Sequence, residues 1–334
     1  MKRTTPQPSL RALLRRFPQL TLTVWGDLVA DEFIAGEIAR VSREAPVLIL
    51  KRRSHSLAAG GGANAAANLA ALGVGVRLVG VLGDDEAGQG LRAQFAAAGM
   101  DTTGVLTVKG RPTPTKTRIL AHHAHTAPQQ VVRLDHEPEA LAPAQQQRLQ
   151  HAAWAAARGS QALLVSDYGY GAATPAAAAQ VRARLAPPRL VSVDARFQIA
   201  DYRGLAAATP NEAELEAALG VRITTRAALE QAARRLRARL GCAHLLVTRG
   251  RDGMALFEPG RPVRHLAIHG SDQALDVTGA GDTVIAVFTA ALAAGADGLA
   301  AAELANYAAG LVVMKPGTAT LAPAELEAAL PPEA

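Results

Sequence analysis

Short runs rich in β-branched residues alternate along most of the chain with longer alanine-rich stretches of helical character. Because these runs do not alternate strictly with polar residues, they are typical of strands covered on both faces. Strand followed by helix, repeated many times, predicts a mostly parallel sheet with helices on both sides. The predicted strands are Leu22–Trp25, Val76–Leu82, Ala162–Ser166, Leu190–Asp194, Leu205–Ala208 and His244–Thr248, and the predicted helices are Ala63–Leu72, Ala87–Ala98, Ala144–Ala157, Pro175–Leu185, Glu212–Leu219, Arg226–Leu240 and Val284–Ala294.

Two segments depart from this alternation, Phe33–Leu57 and Val105–Asp135, which carry polar strand-like runs without a long helix between them. They predict a small antiparallel sheet added to the main one as a lid. No Gly/Ser-rich linker divides the chain, and 334 residues suit one large α/β domain. We therefore expect a single domain over residues 1–334, with lid segments at about 33–57 and 105–135.

The charge and composition exclude several classes of protein. Lys and Arg total 35 against 29 Asp and Glu, but the basic residues are scattered, and aromatic residues, at 4%, are too few for base stacking. Met1–Phe17 lacks the apolar core of a signal peptide, and the apolar run Val284–Ala294 is too short to cross a membrane. The single cysteine, Cys242, allows no internal disulfide. We expect a soluble, cytoplasmic protein that binds neither nucleic acid nor membranes.

The most informative segment runs from Asp276 to Thr283, with the sequence Asp-Val-Thr-Gly-Ala-Gly-Asp-Thr, and a helical run follows at once. Small residues before a helix leave backbone N–H groups exposed, and the helix dipole adds positive potential there, which suits a phosphoryl group. Asp282 at this position has two interpretations, a helix N-cap or a general base that accepts a proton from a substrate hydroxyl. Asp276 and Thr278 favour the second, because they add oxygen ligands beside the loop.

A second glycine loop, Gly60-Gly61-Gly62-Ala63-Asn64, precedes another helical run. It formally matches a dinucleotide-binding fingerprint, but no strand runs directly into its first glycine. The alternatives are a turn that brings backbone and Asn64 against a polyol, or Asn64 as a helix cap. Asp31 follows the first predicted strand, at the edge where α/β proteins bind ligands, and otherwise serves as a turn residue.

Four motifs in this order resemble those of the ribokinase-like (PfkB) family of carbohydrate kinases over nearly the whole chain. The C-terminal signature of that family is similar to Asp276–Thr283, and its N-terminal glycine signature to Gly60–Asn68. Thr209–Glu214 resembles its Asn-x-x-Glu motif, and Val247–Gly253 resembles its strand and turn beside the nucleotide. The resemblance implies a ribokinase-like fold, with a central mostly parallel sheet, helices on both faces and a β-sheet lid.

Within the family, the chain resembles the D-glycero-β-D-manno-heptose 7-phosphate kinases above the others. The segments that carry this likeness are Gly26–Asp31, Val41–Val47, Thr115–Arg118, Arg133–Asp135, Ser166–Gly169, Tyr202–Gly204 and Lys315–Thr320. Two positions depart from the heptose kinases, since Tyr170 replaces a lysine and Asp194-Ala195-Arg196 replaces Asp-Pro-Lys. The loss of a cation at Tyr170 weakens the case for an anionic sugar. Those heptose kinases are often fused to a nucleotidyltransferase, and we expect none within a chain that ends at Ala334.

The resemblance implies a role for each matching residue in phosphoryl transfer from ATP. Asp282 would deprotonate the acceptor hydroxyl, and the N–H groups of Gly279, Ala280 and Gly281 would form the anion hole. The residues expected to hold the sugar are Asp31, Gly61, Gly62 and Asn64. Lys116, Arg118 and Arg133 either face a sugar phosphate or are exposed strand charges.

The remaining implied roles concern ATP and cations. Asn211 and Glu214 would organise Mg²⁺ and the phosphates, largely through water, as this ion prefers. The residues expected beside the nucleotide are Arg196, Thr248, Gly250 and Asn306. Asp276, Thr278 and Gly317 match positions that bind a monovalent cation such as K⁺ in some relatives.

We therefore expect an ATP- and Mg²⁺-dependent sugar kinase, with a heptose 7-phosphate as the acceptor and its 1-hydroxyl as the nucleophile. Two alternatives stay open: a kinase for another acceptor (a ketose, a pentose or a nucleoside), and a non-catalytic regulator that binds a sugar or a nucleotide. The open edges of the lid strands also predict a homodimer, as in relatives.

Overall fold

The computed structural model of the protein describes residues 8–122, 129–187, 190–270 and 274–332. Its strands are β1 (Thr21–Gly26), β2 (Leu28–Val41), β3 (Leu48–Gly61), β4 (Gly75–Gly83), β5 (Asp101–Val108), β6 (Thr115–His122), β7 (Gln129–His136), β8 (Ala162–Asp167), β9 (Leu190–Ala195), β10 (Ala207–Ala208), β11 (His244–Thr248), β12 (Met254–Phe257) and β13 (Arg264–Leu266). Its α-helices are α1 (Leu10–Leu14), α2 (Gly62–Ala71), α3 (Glu86–Ala97), α4 (Pro143–Ala157), α5 (Pro175–Arg184), α6 (Glu212–Leu219), α7 (Arg226–Leu240), α8 (Ala280–Ala293), α9 (Gly298–Val312) and α10 (Pro323–Ala329).

Nine strands form a large sheet in the order β13-β12-β11-β10-β9-β8-β1-β4-β5. The pairs from β11 to β5 are parallel, and β12 and β13 are added antiparallel at one edge. The prediction of a mostly parallel sheet is confirmed. Because parallel strands all end at the same edge of a sheet, the residues that follow β1, β8, β9 and β11 lie near one another.

Helices cover both faces of the large sheet, and alternate strand residues face the two layers. On β1, Leu22 and Val24 pack with α2, α3, α8, α9 and α10, whereas Trp25 packs with α4, α5, α6 and α7. The two layers account for the near-continuous apolar strands, since each strand is buried on both faces. In the described part of the chain, no helix combines the length and the apolarity that a membrane crossing needs.

A second sheet of four strands has the order β3-β2-β6-β7. The expectation of a purely antiparallel sheet is wrong for its central pair, because β2 and β6 run parallel. The chain leaves β2 through β3, passes through α2, β4, α3 and β5, and only then enters β6, so a hairpin does not fix the direction of that pair. Residues 105–108 belong to β5 at the edge of the large sheet and not to this small sheet.

Candidate active site

Asp282 lies in the first turn of α8, and its carboxylate is almost wholly buried, with 3% of the residue exposed. Gly279 precedes the helix with a φ of 78°, a left-handed conformation that glycine adopts without strain. Asn64 on α2 donates a hydrogen bond from Nδ2 to Asp282 Oδ2 at 2.9 Å. Tyr168, just after β8, donates one from its hydroxyl to Oδ1 at 2.8 Å. Two separate elements therefore fix the orientation of this carboxylate.

Burial raises the pKa of Asp282 to about 7. The hydrogen bonds from Asn64 and Tyr168 act in the opposite direction, because they stabilise the charged form. Asp31 raises the pKa further by repulsion, and Lys116 lowers it by attraction. A carboxyl group with this pKa exchanges a proton near neutral pH, as a general base must.

The N-terminus of α8 lies where two cavities meet, and Gly281 lines both of them. Among the described residues, the N–H groups of Gly281 and Asp282 donate no hydrogen bond, whereas the N–H of Ala280 donates to Val277 O at 3.3 Å. Of the three amides predicted for the anion hole, that of Ala280 is therefore engaged, whereas those of Gly279 and Gly281 donate no hydrogen bond among the described residues. A Cβ at Gly281 would meet no atom within 4 Å, so the backbone there is open to a ligand.

One face of the small sheet carries the charged side chains predicted to meet the sugar. Asp31 on β2 lies beside Lys116 on β6, and Arg118 on β6 lies opposite Arg133 on β7. Arg118 Nη1 donates to Asp31 Oδ1 at 2.6 Å, and both side chains are largely buried. Arg133 is exposed and binds Asp135 through two hydrogen bonds of 2.8 and 2.9 Å.

Lys116 differs from these two arginines, because no carboxylate of the described residues forms an ion pair with it. Its Nζ lies 5.0 Å from the centre of the Tyr168 ring, and only 7% of the residue is exposed. Burial lowers the pKa of its ammonium group, and the nearby charge of Arg196 lowers it further. Asp31 and Asp135 act in the opposite direction, since their negative charges raise this pKa. Lys116 is thus a buried cation that forms no direct ion pair among the described residues, beside the tyrosine that contacts Asp282.

The glycine loop between β3 and α2 comes very close to other backbone. Gly61 has a φ of 55°, and a Cβ there would lie 3.2 Å from both Asp27 O and a ring carbon of Tyr168. The N–H of Gly62 donates to Asp27 O at 3.0 Å. Gly61 and Gly62 thus let α2 begin in contact with the backbone of Asp27 and the ring of Tyr168. Asn64, in the first turn of this helix, is therefore close enough to donate a hydrogen bond to Asp282.

One cavity, of about 470 Å³, contains the predicted metal and phosphate residues. Asn211 and Glu214 form a capping box at the start of α6, with hydrogen bonds of 2.8 and 2.9 Å between side chains and backbone N–H groups. Burial, together with the charges of Glu214 and Asp282, raises the pKa of Asp194 well above its usual range. Arg196 lines the same cavity and supplies a positive charge.

The other cavity, of about 390 Å³, is lined mostly by apolar groups and contains three of the four residues predicted beside a nucleotide. Thr248 borders both cavities, and Gly250 lies in the turn that follows it. Asn306 on α9 donates from Nδ2 to Ala267 O at 2.7 Å, which fixes the segment after β13 against this cavity. Arg196, the fourth predicted residue, lines the polar cavity instead.

Asp276 joins the loop before α8 to the loop after α9. Its two carboxylate oxygens accept hydrogen bonds from the backbone N–H groups of Thr278 and Gly317, each at 2.9 Å. Burial alone would raise the pKa of Asp276, but the hydrogen bonds from Thr278 and Gly317 hold it below its usual range. The structure thus brings together Asp276, Thr278 and Gly317, the three residues predicted for a monovalent cation.

Sequence reasoning gave no role in the site to two residues that shape it, Tyr168 and Asp194, and it placed Asp27 only at the ligand-binding edge of the sheet or in a turn. Asp27 is buried and accepts hydrogen bonds from the N–H groups of Tyr168, Tyr170 and Ala172, so it holds the loop that carries Tyr168. Burial raises the pKa of Asp27 to about 6, against the effect of these three amides. The available signal was position, because Asp27, Tyr168 and Asp194 all lie at the carboxyl ends of parallel strands.

The model of the family described as "pfkB family carbohydrate kinase" matches residues 24–325. The relatives named "Bifunctional protein HldE" include those of Desulfatibacillum aliphaticivorans, 39% identical over 94% of this chain, and Chromohalobacter salexigens, 41% identical over 93% of it. The chain spans only 64% of the length of each of these two curated relatives.

Solved structures share the fold at lower sequence identity. The ribokinase of Arabidopsis thaliana, in complex with ribose and ATP, is 21% identical, with a TM-score of 0.69 over 93% of this chain and 98% of that one. Phosphofructokinase-2 of Escherichia coli, in complex with substrates and products, is 16% identical, with a TM-score of 0.75 over 92% of this chain and 97% of that one. The chain therefore has the ribokinase-like fold that the sequence predicted.

We expect Asp282→Asn to stabilise the protein at pH 8. The folded-state pKa of about 7 lies above the ordinary value of 3.8, so the folded protein binds the proton more tightly than the unfolded chain. Stability therefore falls as the pH rises from about 4 to about 7, and the substitution removes that cost. The free energy of unfolding, measured in urea, should rise by about 2 to 4 kcal/mol at pH 8 and show little gain near pH 4. If the free energy of unfolding of the variant at pH 8 were equal to or lower than that of the wild-type protein, the claim that Asp282 carries a destabilising buried charge would be contradicted.

Proposed function

We propose, because the chain belongs to the pfkB family of carbohydrate kinases, that it transfers the γ-phosphoryl group of ATP to the 1-hydroxyl of a heptose 7-phosphate. The observation that carries this proposal is the position of Asp282. Its buried carboxylate lies at the N-terminus of α8, where the two cavities meet and where Lys116 and Asp31 of the small sheet are near enough to change its pKa. A proton acceptor, an anion-binding helix end and a charged substrate surface thus converge on one point.

The chemistry follows from these groups. The sugar hydroxyl loses its proton to Asp282 as its oxygen attacks the γ-phosphorus, and the bond from that phosphorus to the β-phosphate bridging oxygen breaks, releasing ADP. A base with a pKa of about 7 suits this step, because it is substantially ionised at neutral pH and still holds a proton well. The free N–H groups of Gly281 and Asp282 and the dipole of α8 stabilise the charge on the transferring group.

The two cavities suit the two parts of a nucleotide. The apolar cavity beside Gly250 and Asn306 accommodates a planar base, and Thr248 and Gly281 connect it to the polar cavity beside Asn211 and Glu214. A nucleotide that lies across this connection directs its terminal phosphate to the start of α8. In this proposal Arg196 binds phosphate oxygens, because it is the arginine that lines the polar cavity.

The polar cavity also fits Mg²⁺. Glu214 and Asp282 both repel the carboxylate of Asp194, which lines this cavity, as the raised pKa of Asp194 indicates, and oxygen ligands are those that Mg²⁺ prefers. Within the described chain, no three His, Cys, Asp or Glu side chains are close enough to hold an ion directly, which favours binding through water and phosphate. Asn211 and Glu214 would hold the hydrated ion, which neutralises phosphate charge when bound.

A monovalent cation such as K⁺ remains a prediction for the loop of Asp276, Thr278 and Gly317. The carboxylate of Asp276 is already bound by two amides and stays ionised, so it supplies negative charge beside the N-terminus of α8. Nearby, the hydroxyl of Thr318 is buried and has no hydrogen-bond partner among the described residues. An orphaned hydroxyl and a fixed carboxylate together suit a cation with oxygen ligands.

The proposal of a phosphorylated acceptor rests on Lys116. Arg118 and Arg133 already form ion pairs with carboxylates, whereas the buried Lys116 forms none among the described residues and interacts with Asp31 and Asp135 only at longer range. A sugar phosphate would supply a direct anionic partner. Tyr170, which replaces the lysine of the heptose kinases, directs its hydroxyl to Glu137 at 3.3 Å. The distal phosphate therefore has fewer cations to bind here than in those relatives, and Lys116 carries more of the recognition.

We expect Asp282→Asn to lower kcat by roughly 10²- to 10⁴-fold with little change in KM, because the proton acceptor is lost and the shape is kept. The assay incubates ATP and Mg²⁺ with a panel of acceptors: a heptose 7-phosphate, a ketose, a pentose and a nucleoside. Asp201→Asn, at an exposed carboxylate that binds Arg239, is the matched control and should retain wild-type kcat. Wild-type kcat in Asp282→Asn would show that another group is the base, and tight binding without ATP consumption would indicate a regulator instead of a kinase.

We expect Lys116→Met to raise the KM for the phosphorylated sugar roughly tenfold and to leave the KM for ATP unchanged, since one charge-assisted contact is lost. Arg133→Met is the matched control, because Arg133 already binds Asp135. We expect the KM of this variant for the phosphorylated sugar to change far less. For each variant, the KM for the sugar comes from initial rates with varied sugar at saturating ATP. The KM for ATP comes from initial rates with varied ATP at saturating sugar. An equal loss on sugars without a phosphate would mean that Lys116 does not bind that phosphate.

We also propose a homodimer formed through the small sheet. Val132 and Leu134 on β7 are 49% and 66% exposed and point to the face opposite the charged one, where they form an apolar surface. Sedimentation should show a dimer at micromolar concentration, and Leu134→Asp should shift it to a monomer. A monomeric wild-type protein under these conditions would exclude the dimer.

A further inference from the structure

A chain of buried polar side chains leads from Asp282 away from both cavities. Asn64 and Asn68 lie one turn apart on α2, and Thr283 follows Asp282 on α8; these three residues are at most 1% exposed. Asn68 Nδ2 donates to Asn64 Oδ1 and to Asn64 O, each at 3.0 Å. Thr283 Oγ1 lies 3.2 Å from Asn68 Oδ1. Asn68 is wholly buried, with 0% of the residue exposed, so no substrate reaches its side chain.

The partners of the two amides determine which end of each points where. A backbone carbonyl only accepts hydrogen bonds, so the NH₂ group of Asn68 must face Asn64 O. The same NH₂ group then donates to Asn64 Oδ1. Asn64 consequently turns its own NH₂ group toward two pure acceptors, Asp282 Oδ2 at 2.9 Å and Gly279 O at 3.3 Å. The hydrogen bonds form a single consistent series from Asn68 to Asp282.

The opposite orientation of Asn64 would be costly. Its amide oxygen would then face the carboxylate of Asp282 and the carbonyl of Gly279, and buried acceptors that face one another lose the full value of a hydrogen bond. In the observed orientation, both N–H groups of Asn64 are used and its oxygen accepts from Asn68. Asn64, predicted to hold the sugar, therefore donates both of its N–H groups within the protein, to Asp282 and to Gly279 in the adjacent loop.

We propose that Asn68 is a positioning residue for the kinase reaction: it holds the amide of Asn64 in the orientation that donates a hydrogen bond to Asp282. This inference rests on the proposed function, in which Asp282 is the base. The charged and titratable groups that face Asp282 from other elements are Asp31 and Lys116 of the small sheet, Tyr168 after β8 and Asp194 on β9. None of them changes when Asn68 is replaced, so an altered proton affinity would be transmitted through Asn64.

The test compares Asn68→Leu with the wild-type protein by steady-state kinetics over a range of pH. Without the donor at Asn68, the amide of Asn64 is free to reverse, and Asp282 loses the hydrogen bond that lowers its pKa. We expect kcat at pH 7 to fall roughly tenfold, KM for ATP and sugar to stay unchanged, and the acid limb of the kcat profile to move to higher pH. Asn68→Ala, which removes the donor without adding charge or bulk, should change kcat and the pH profile in the same directions, and it replaces Asn68→Leu if that variant does not fold.

Thr23→Val is the matched control for the loss of a buried hydrogen bond. Thr23 is wholly buried on β1 and lies 2.8 Å from Ser160 Oγ, distant in sequence from the network around Asp282. We expect it to lower stability without moving the pH profile. If Asn68→Leu and Asn68→Ala keep wild-type kcat and pH profile while Asp282→Asn is inactive, the role of Asn68 is overturned and the proposed function stands. A wild-type protein that phosphorylates no acceptor would overturn both.

Discussion

The site depends on one buried carboxylate and the two hydrogen bonds that hold it. An isolated buried charge at Asp282 would destabilise the folded protein, but Asn64 and Tyr168 each donate a hydrogen bond to one of its oxygens. These donors come from α2 and from the loop after β8, which are far apart in sequence. Both meet at the end of β1, because β8 pairs with β1 in the large sheet and Gly62 at the start of α2 donates to Asp27 O just after β1. Burial then keeps the pKa near neutrality, where a proton acceptor is useful.

The large sheet and the small sheet place functional groups around this carboxylate from two different sides. The large sheet and its helices provide the rigid part: the N-terminus of α8, the capping box of α6 and the cavities beside β11. The small sheet adds Asp31, Lys116 and Arg118 on the face directed at the site. Asp27, which binds three amides of the loop after β8, connects the end of β1 to Tyr168. A substrate between the two sheets would therefore meet fixed donors on one side and charged side chains on the other.

Much of this arrangement was predictable from local sequence. The apolar strands and the glycine-rich starts of α2 and α8 have distinct signatures, and they led to the fold class and to Asp282 as a candidate base. The residues of both cavities came from the resemblance to a known family. The parallel pairing of β2 with β6 was not predictable, since the partner of a strand after a long excursion depends on tertiary packing. β5 was assigned to the lid for the same reason. The helix α9 was missed because its alanine-rich sequence continues from α8 with only a short break near Gly295.

The roles of single amides lie beyond sequence patterns. Ala280 was expected in the anion hole, but the start of α8 uses its N–H in a turn to Val277. Asn64 was expected at the sugar, but its NH₂ group faces Asp282 and Gly279. Tyr168 and Asp194 have roles that depend on distances between strand ends. These features follow from the direction of individual hydrogen bonds, which a motif does not encode.

The proton affinity of Asp282 is the central claim, and carbon-13 NMR of aspartate carboxyl groups measures it directly. The resonance of Asp282 is assigned as the one that disappears in Asp282→Asn. The account predicts that this resonance titrates with a midpoint of about 7, because burial outweighs the two donated hydrogen bonds. A midpoint near 4, that of an exposed aspartate, would contradict it, since the carboxylate would then be neither buried nor suited to accept the proton of a sugar hydroxyl.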